Sequence, residues 1–513
     1  MFAVVLAEDI IRFDIKTRYA NHNWSDKHST YQLFRSLILI RTLFCYLSLR
    51  FLYFCNRMHK GKDNYTFLTA EPIHKVVITM AVPTIISMLV TSLYNIADTY
   101  FVGQINTQAT AAVGIVFSVM FFIQSFGFFF GHGSGNYISR ELGAKRHNNA
   151  VRMASNGFFF SFAFGIVIMI IGLLNLKPLS VLLGSTPTIL PYTEKYLGVV
   201  LLGAPFLTSS LTLNNQMRLQ GNATYAMYGI VVGAVLNVAL DPLLIFTFNM
   251  GITGAAIATV VGQIVSFIIL FYMARPGENI GIYLKNFAPS WNALKEIFLG
   301  GSPSLSRQGL ACLATMSLNI AAAHYGDEAI AAMSIVTRIS MLVLATVIGL
   351  GQGFQPLCGF CYGAKLYDRL REGYMFTVKT GTLFLLACTI IGWIFSGSLI
   401  ELFRNDAKVI SIGVVALRWQ LCTYPFNAAI VVSNMLSQTC RKPWRANFLA
   451  AARQGLFFIP LIFILPQFFG LLGVEMCQAV SDTFSLLATI PIMIYTFREF
   501  KKEQIEFNQQ KNN

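Results

Sequence analysis

From about residue 77 the chain breaks into apolar stretches of roughly twenty or more residues, each long enough to cross about 30 Å of hydrocarbon as a helix. Twelve are read, at 77–103, 109–136, 152–175, 190–213, 223–248, 252–274, 296–322, 328–357, 374–398, 408–435, 446–467 and 472–496. The predicted fold class is an all-α polytopic membrane protein of about twelve transmembrane helices. Basic residues recur after every even-numbered stretch: Arg140, Lys145, Arg146 and Arg152 after the second, Lys365, Arg369, Arg371 and Lys379 after the eighth, Arg498, Lys501 and Lys502 after the last. The odd-numbered stretches are followed by connections poor in Lys and Arg. This asymmetry predicts that both termini are cytoplasmic.

The pattern repeats within the chain. QATAAVGIVFSV at 108–119 returns as EAIAAMSIVTRI at 328–339, and GHGSGNYISRELGAK at 131–145 as GQGFQPLCGFCYGAK at 351–365; Gly133 meets Gly353 and Gly143 meets Gly363, a step of 220 residues. GITGAAIATVVGQ at 251 meets GLLGVEMCQAVSD at 470, a step of 219. Two halves of six helices each, an even number, give parallel repeats related by an axis along the membrane normal, an organisation of secondary transporters with a central cavity. The expected layout is a cytoplasmic segment at 58–76, an N-lobe at 77–274, an inter-lobe cytoplasmic loop at 275–295, a C-lobe at 296–496 and a cytoplasmic tail at 497–513. Residues 1–57 match neither half and lack a signal-peptide layout, because Glu8 and Asp9 follow a short apolar start. Arg41 and Arg50 interrupt the apolar run 36–55, each costing about 2.5–3.5 kcal/mol at a helix centre. Met58 is therefore read as the native start and 1–57 as a misassigned extension.

Composition agrees with a lipid solvent: 55% hydrophobic and 12% charged residues, against about 25% charged in soluble domains. The net charge of +15 is spread over short inter-helix clusters rather than gathered in one patch, so nucleic acid is not an expected partner. Nine scattered cysteines make no disulfide framework, and the CGFC at 358–361 lacks the βαβ setting of a redox motif. There is no GxxxxGK[ST] phosphate loop and no HExxH, which argues against nucleotide-driven transport and intramembrane proteolysis. No cofactor is expected, and the chain is not read as an enzyme.

Ionisable residues inside the apolar stretches carry the chemistry, since each is costly unless it faces a cavity or a partner. Asp98 in YNIADTYFVG and Asp241 in VLNVALDPLLIF lie at similar depth, roughly 8–10 Å below the outer surface. Asn237 shares a helix face with Asp241, and Thr259 enters from the same side. Two nearby carboxylates in low dielectric cannot both stay ionised without a compensating cation, so this oxygen-rich set is expected to hold a proton or Na+. The competing reading is that each Asp caps a broken helix, and Pro242 does interrupt the ladder after Asp241. Pro83 permits a bend of the first helix, or marks a static kink. Gly127, Gly131 and Gly135 form a stripe for close helix packing, echoed by Gly349 and Gly353. His132 is read as a packing residue. The second half offers Arg307, Arg338, Arg418, Arg453 and Asp482, of which Arg307 with Gln308 is a cavity candidate.

These motifs together, AVP then DTYFVG, GHGSGNYISRELGAK, LNVALDPLLIF, GAAIAT and GQGFQPLCGFCYGAK, make residues 70–497 resemble the multidrug and toxic compound extrusion (MATE) family, most of all its DinF-like and MepA-like bacterial branch. The resemblance implies a plasma-membrane (bacterial inner-membrane) exporter of cationic, often aromatic compounds, working as a monomer by proton or sodium antiport with alternating access of two lobes. It assigns Asp98, Asn237, Asp241 and Thr259 to the cation and proton network, and Tyr196 and Asn214 to polar positions of the same cavity. The sodium-coupled NorM-like branch carries an acid in the seventh helix; here SPSLSRQGLACL has Arg307 and Gln308 instead, favouring coupling through the N-lobe. Two other readings stand beside it: a lipid-linked precursor flippase with cationic residues lining the cavity, and a non-coupled channel or membrane sensor.

Overall fold

The structure, a computed structural model, describes residues 63–275, 279–404 and 406–512; the extension 1–57 and the first part of the segment 58–76 lie outside the described residues. Helix α1 (Asn64–Ala70) precedes the first six crossings: α2 (Ile73–Gly103), α3 (Thr107–Gly143), α4 (His147–Leu174), the pair α6 (Leu190–Leu202) and α7 (Ala204–Leu219), α8 (Ala223–Pro242) with a π-helical turn at Leu243–Thr247, and α9 (Gly251–Met273). The short α5 (Leu176–Leu182) joins α4 to α6. The second six are α10 (Trp291–Ala323), α11 (Asp327–Gly363), α12 (Tyr367–Ile394), α14 (Ala407–Thr439), the broken run α15 (Pro443–Ala451), Ala452–Leu456 and α16 (Phe458–Phe469), and α17 (Leu471–Asn512), with the short α13 (Ser396–Glu401) after α12. No strand occurs among the described residues.

Local chemistry accounts for the boundaries. Asn106 caps α3 by accepting from the Ala109 amide at 2.7 Å, Ser290 caps α10, and Asp406 caps α14. The fourth crossing is expected as one helix but is bent by 49° at Gly203, where Pro205 withholds a backbone donor. A Cβ at Gly203 would stand 2.3 Å from Gln263 Oε1 and 3.1 Å from Val200 O, so glycine lets α9 approach the bend closely. Among the described residues, ten helices meet the length and apolarity of a membrane span on their own, and the bent pair makes an eleventh. The twelfth, α10, is long but interrupted by Ser302, Ser304, Ser306, Arg307 and Gln308. Several of these polar groups meet protein rather than lipid: Ser304 lies 3.1 Å from His132 Nδ1 and Ser306 donates to Asn447.

The repeat extends to backbone geometry. Pro83 and Pro303 occupy equivalent positions, as do Pro205 and Pro425, although the second pair breaks only the first helix. Left-handed φ recurs at Lys145 (60°) and Lys365 (58°), at Gly221 (98°) and Arg441 (56°), and at Gly251 (54°) and Gly470 (59°). Asn214 donates to Ala226 O at 2.7 Å, and its equivalent Asn434 donates to Ala446 O at 2.6 Å.

The lobes meet at the end of the bundle that carries the basic connections. The stripe Gly127, Gly131 and Gly135 packs inside the first lobe, against Leu211, Asn215 and Leu219 of α7. The lobe contact is made by glycines of different register: a Cβ on Gly133 would stand 2.3 Å from Ile297 O of α10, and one on Gly353 would stand 2.3 Å from Ala81 Cα of α2. Arg140 crosses the same seam, donating to Thr439 O at 2.9 Å and pairing with Glu296 at 3.2 Å. Helix α1 straps this end, since Asn64 bonds Gln220 O while Arg369 donates to Leu68 O and Glu71 O.

Replacing Gly133 or Gly353 by Ala forces backbone apart at the seam and should destabilise the protein by about 1–3 kcal/mol. Gly309→Ala, with open space around the added methyl, should be neutral. Thermal unfolding in detergent checks this; equal midpoints for all three variants would reject the seam as a packing constraint.

Candidate functional site

The fourth, fifth and sixth crossings converge with α2 in the first lobe, toward the end opposite the basic connections. Asp98 lies one turn from the end of α2, and Asp241 closes α8 immediately before Pro242 and the π-helical turn. Asp241 is 0% exposed, Tyr196 1%, Asn237 3% and Thr259 6%, whereas Asp98 is half-buried and reaches the cluster from the side. α8 packs along α2, which brings the helix of Asp241 against that of Asp98. The Tyr196 hydroxyl approaches Asp98 and Thr259 without completing the geometry of a hydrogen bond.

What distinguishes the cluster is unmet demand for donors. Asn237 Nδ2 reaches Thr259 Oγ1 at 3.4 Å, yet Asn237 Oδ1, both carboxylate oxygens of Asp241 and Oδ1 of Asp98 are buried without a hydrogen-bond partner. Gln263 Oε1, beside the Gly203 bend, is likewise unpartnered. No Lys, Arg or His forms an ion pair with Asp98 or Asp241 among the described residues. An ionised carboxylate only accepts, and a buried one left unmet costs several kcal/mol. These unpartnered atoms are hard oxygens, so they fit a proton or a hard cation such as Na+. Gln263 escaped the sequence reading although it follows Thr259 by four residues, and Tyr94, whose environment is set partly by Asp98, precedes that residue by four.

The second lobe answers the same demand internally. Asp482, the repeat equivalent of Gln263, is 1% exposed and receives Arg453 Nε at 2.9 Å, Gln478 at 2.8 Å and Asn427 at 2.9 Å. Arg453 stands in the second π-helical turn, so both lobes depart from α geometry at the fifth crossing beside a carboxylate. Here the charge is neutralised by protein. The repeat position of Asp98 is Leu318, and that of Asp241 falls at Pro460 or Leu461.

The remaining sequence-derived residues lie elsewhere. Asn214 spends its amide on the α8 backbone rather than on the acid cluster. Arg307 donates to Asn434 Oδ1 at 3.1 Å near the seam, with Gln308 half-buried beside it. His132 is fully buried; Arg218 donates to its Nε2 at 3.2 Å, which leaves Nδ1 as the donor to Phe128 O at 3.1 Å. α2 runs unbroken through Pro83, and beyond it Ser87, Thr91, Asn95 and Thr99 each bond the carbonyl four residues back.

Comparison with known proteins places this geometry. The MatE family model matches residues 83–243 and 303–464, one copy per lobe. The chain is 27% identical over 444 residues to the multidrug export protein MepA of Staphylococcus aureus, covering 86% of this chain and 97% of that one. It is 27% identical over 443 residues to MepA of Staphylococcus saprophyticus, with the same coverage. A structure solved as the outward-facing conformation of a multidrug resistance MATE family transporter superposes with a TM-score of 0.82 at 25% identity, covering 86% of this chain and all of the other. With two family-matched lobes, twelve membrane-length helical runs and the corresponding fold, the chain belongs to the MatE family of membrane transporters.

Proposed function

We propose that the protein is a secondary active multidrug exporter that moves cationic, amphipathic small molecules across the cell membrane by antiport against H+ or Na+, with alternating access of its two lobes. The single observation that carries the reading is that Asp98 and Asp241 present buried, unpartnered oxygens with no basic residue paired to them among the described residues. The names of the MepA relatives support multidrug export as the cargo class. The positive-inside pattern supports placing the closed seam and both termini on the cytoplasmic side. On that orientation the acid cluster is reached from outside.

The cycle follows from charge. A cationic drug and the coupling cation satisfy the same acceptors, so each weakens the binding of the other by the same factor. A proton or Na+ arriving from outside takes over Asp98 and Asp241, and the drug loses its polar hold. α2 is suited to transmit the change, because Pro83 removes one backbone bond and the Ser/Thr/Asn ladder beyond it weakens the helix along one stripe.

Asp98→Asn and Asp241→Asn should each abolish gradient-driven ethidium efflux from vesicles containing the purified protein, with insertion unchanged. Imposing proton and Na+ gradients separately identifies the coupling ion, and efflux unaltered in both variants would reject the site. Asp241→Asn removes an uncompensated buried acid and should leave thermal stability equal or higher. Asp482→Asn strips Arg453 of its partner and should cost about 3–5 kcal/mol. The opposite order of stabilities, read by thermal unfolding in detergent, would contradict the assignment of an exchange role to one acid and a structural role to the other.

A further inference from the structure

Each lobe sends its leading segment across the seam to the other. Helix α1 precedes the first lobe, and the segment 284–290, with a 3-10 turn at Leu284–Asn286, precedes the second. The step of 220 residues that relates Pro83 to Pro303 also relates Phe67 to Phe287 and Leu68 to Ala288. α1 packs on α11 of the second lobe. Phe67 and Leu68 are buried in one apolar cluster with Phe354 and Leu357 of α11 and Leu370 of α12, and Arg369 of α12 donates to Leu68 O at 3.2 Å and to Glu71 O. The other segment docks on α4 of the first lobe, the repeat equivalent of α12. There Asn156 donates to Ala288 O and accepts from the Ala288 amide, both at 2.9 Å, while the Phe287 ring lies 5.2 Å and 5.6 Å from those of Phe159 and Phe160. Asn222 joins the two segments, accepting from Asn64 at 3.1 Å and donating to Asn279 at 2.7 Å.

A helix of seven residues is not stable alone in water, so α1 is helical because it is docked. Its last carbonyls have no intrahelical partners, and a guanidinium from the opposite lobe supplies donors to them while facing the negative end of the helix. On its own side α1 is continuous with α2 through Pro72, bonds Gln220 O through Asn64, and has Lys145 4.7 Å over the Tyr65 ring. The attachment that can be given up is therefore the one to the second lobe, made by Arg369 and the pocket around Phe67 and Leu68. The exchange is reciprocal, like an isologous interface in which one contact is made twice. Lobes that part at this end must pull both leaders from the helices on which they rest.

We propose that α1 and the segment 284–290 are reciprocal straps that hold this end of the seam closed, and that the lobes part there only when α1 leaves α11 and α12. This role rests on the alternating-access reading, for which it supplies the contact that must be released. Cys358 and Cys440 report the release: both are 0% exposed, both belong to the apolar cluster of Phe67 and Leu68, and both flank the seam, where Gly359 abuts Ser139 and Thr439 O accepts from Arg140. Cys477 is equally buried but lies in a separate cluster of the second lobe, so it serves as the internal control.

Purified full-length protein in vesicles is treated with N-ethylmaleimide, and labelling is followed cysteine by cysteine by mass spectrometry. Arg369→Gln should raise the labelling rates of Cys358 and Cys440 about ten-fold and leave Cys477 unchanged. Arg369→Lys should recover part of the protection, and Arg371→Gln, which removes an exposed arginine from the same helix, should match the native protein. In the double variant Glu71→Cys with Arg369→Cys, a short bis-methanethiosulfonate bridging the two introduced thiols, verified by the same mass spectrometry, should restore protection and stop gradient-driven ethidium efflux. Reductant should reverse both effects, and each single variant treated alike is the control. Unchanged labelling in Arg369→Gln would overturn the strap. So would a rise of Cys477 in step with the other two, because Arg369 then holds the fold of the lobe rather than α1. Efflux undiminished by the bridge would overturn it as well and leave the export reading standing. The expected labelling pattern with no efflux from any form of the protein, native included, would support the strap and count against the export reading.

Discussion

Hydrocarbon gives a charged side chain no water, so each one in the spans must be neutralised by protein, exposed to an aqueous space, or satisfied by something that comes and goes. This constraint sorts the intramembrane charges of the chain. Arg453 and Asp482 neutralise one another within the second lobe, with Gln478 and Asn427 completing the carboxylate's shell. Glu296 holds Arg140 and Arg441 where the lobes meet. Asp98 and Asp241 find no such partner, and neither do Arg218 and Arg307. The charges left over are of opposite sign and at different depths, the acids toward one end of the bundle and the arginines toward the seam.

Duplication explains why the leftovers are informative. Two lobes built on one plan share proline positions, left-handed turns and even the Asn214 and Asn434 contacts to backbone carbonyls. Where both lobes carry a feature, packing is a sufficient cause. Asp98, Asp241, Arg218 and Arg307 break the plan: their repeat positions hold leucine, proline or leucine, glutamine and serine respectively. A fold that tolerates neutral residues at those places has no structural need for the charges, and their desolvation cost demands another origin.

Much of the scaffold was legible in the chain because the signal was long and additive: twenty apolar residues, alternating basic connections and a step of 220 residues survive errors at any one position. α10 was read from its apolar stretch despite its serines and Arg307, and the repeat supported the count. The 49° bend at Gly203 was missed, as proline and glycine report where a helix can break and only the neighbour, Gln263, shows that it does. Within the site, Asp98, Asn237, Asp241 and Thr259 were singled out by charge and spacing. Gln263 was not, being one glutamine among many until its oxygen is seen buried beside the bend. Asn214 was assigned to the cavity by resemblance alone, and its amide bonds the α8 backbone, a use that sequence alone cannot separate from ligand binding. The Arg453–Asp482 pair was out of reach because it joins two helices whose relative rotation no local pattern specifies.

Antiport also needs the site to be incomplete. A carboxylate pair permanently satisfied by a lysine or arginine would bind neither drug nor coupling ion with useful affinity, since each newcomer would have to displace a tethered partner at high effective concentration. On the proposed reading, the lack of a protein cation at Asp98 and Asp241 makes drug and coupling ion interchangeable there, and interchangeable occupants are necessarily competitive. On the proposed antiport reading, closing the second-lobe equivalent of Gln263 with an ion pair has a further consequence. With two equivalent acid sites, drug and ion could be bound together on separate lobes and the exchange would slip; with one, occupancy by the ion is itself the loss of the drug. On that proposed reading, the neutral pairing of Arg453 with Asp482 in the second lobe belongs to the coupling as much as the unpaired acids in the first.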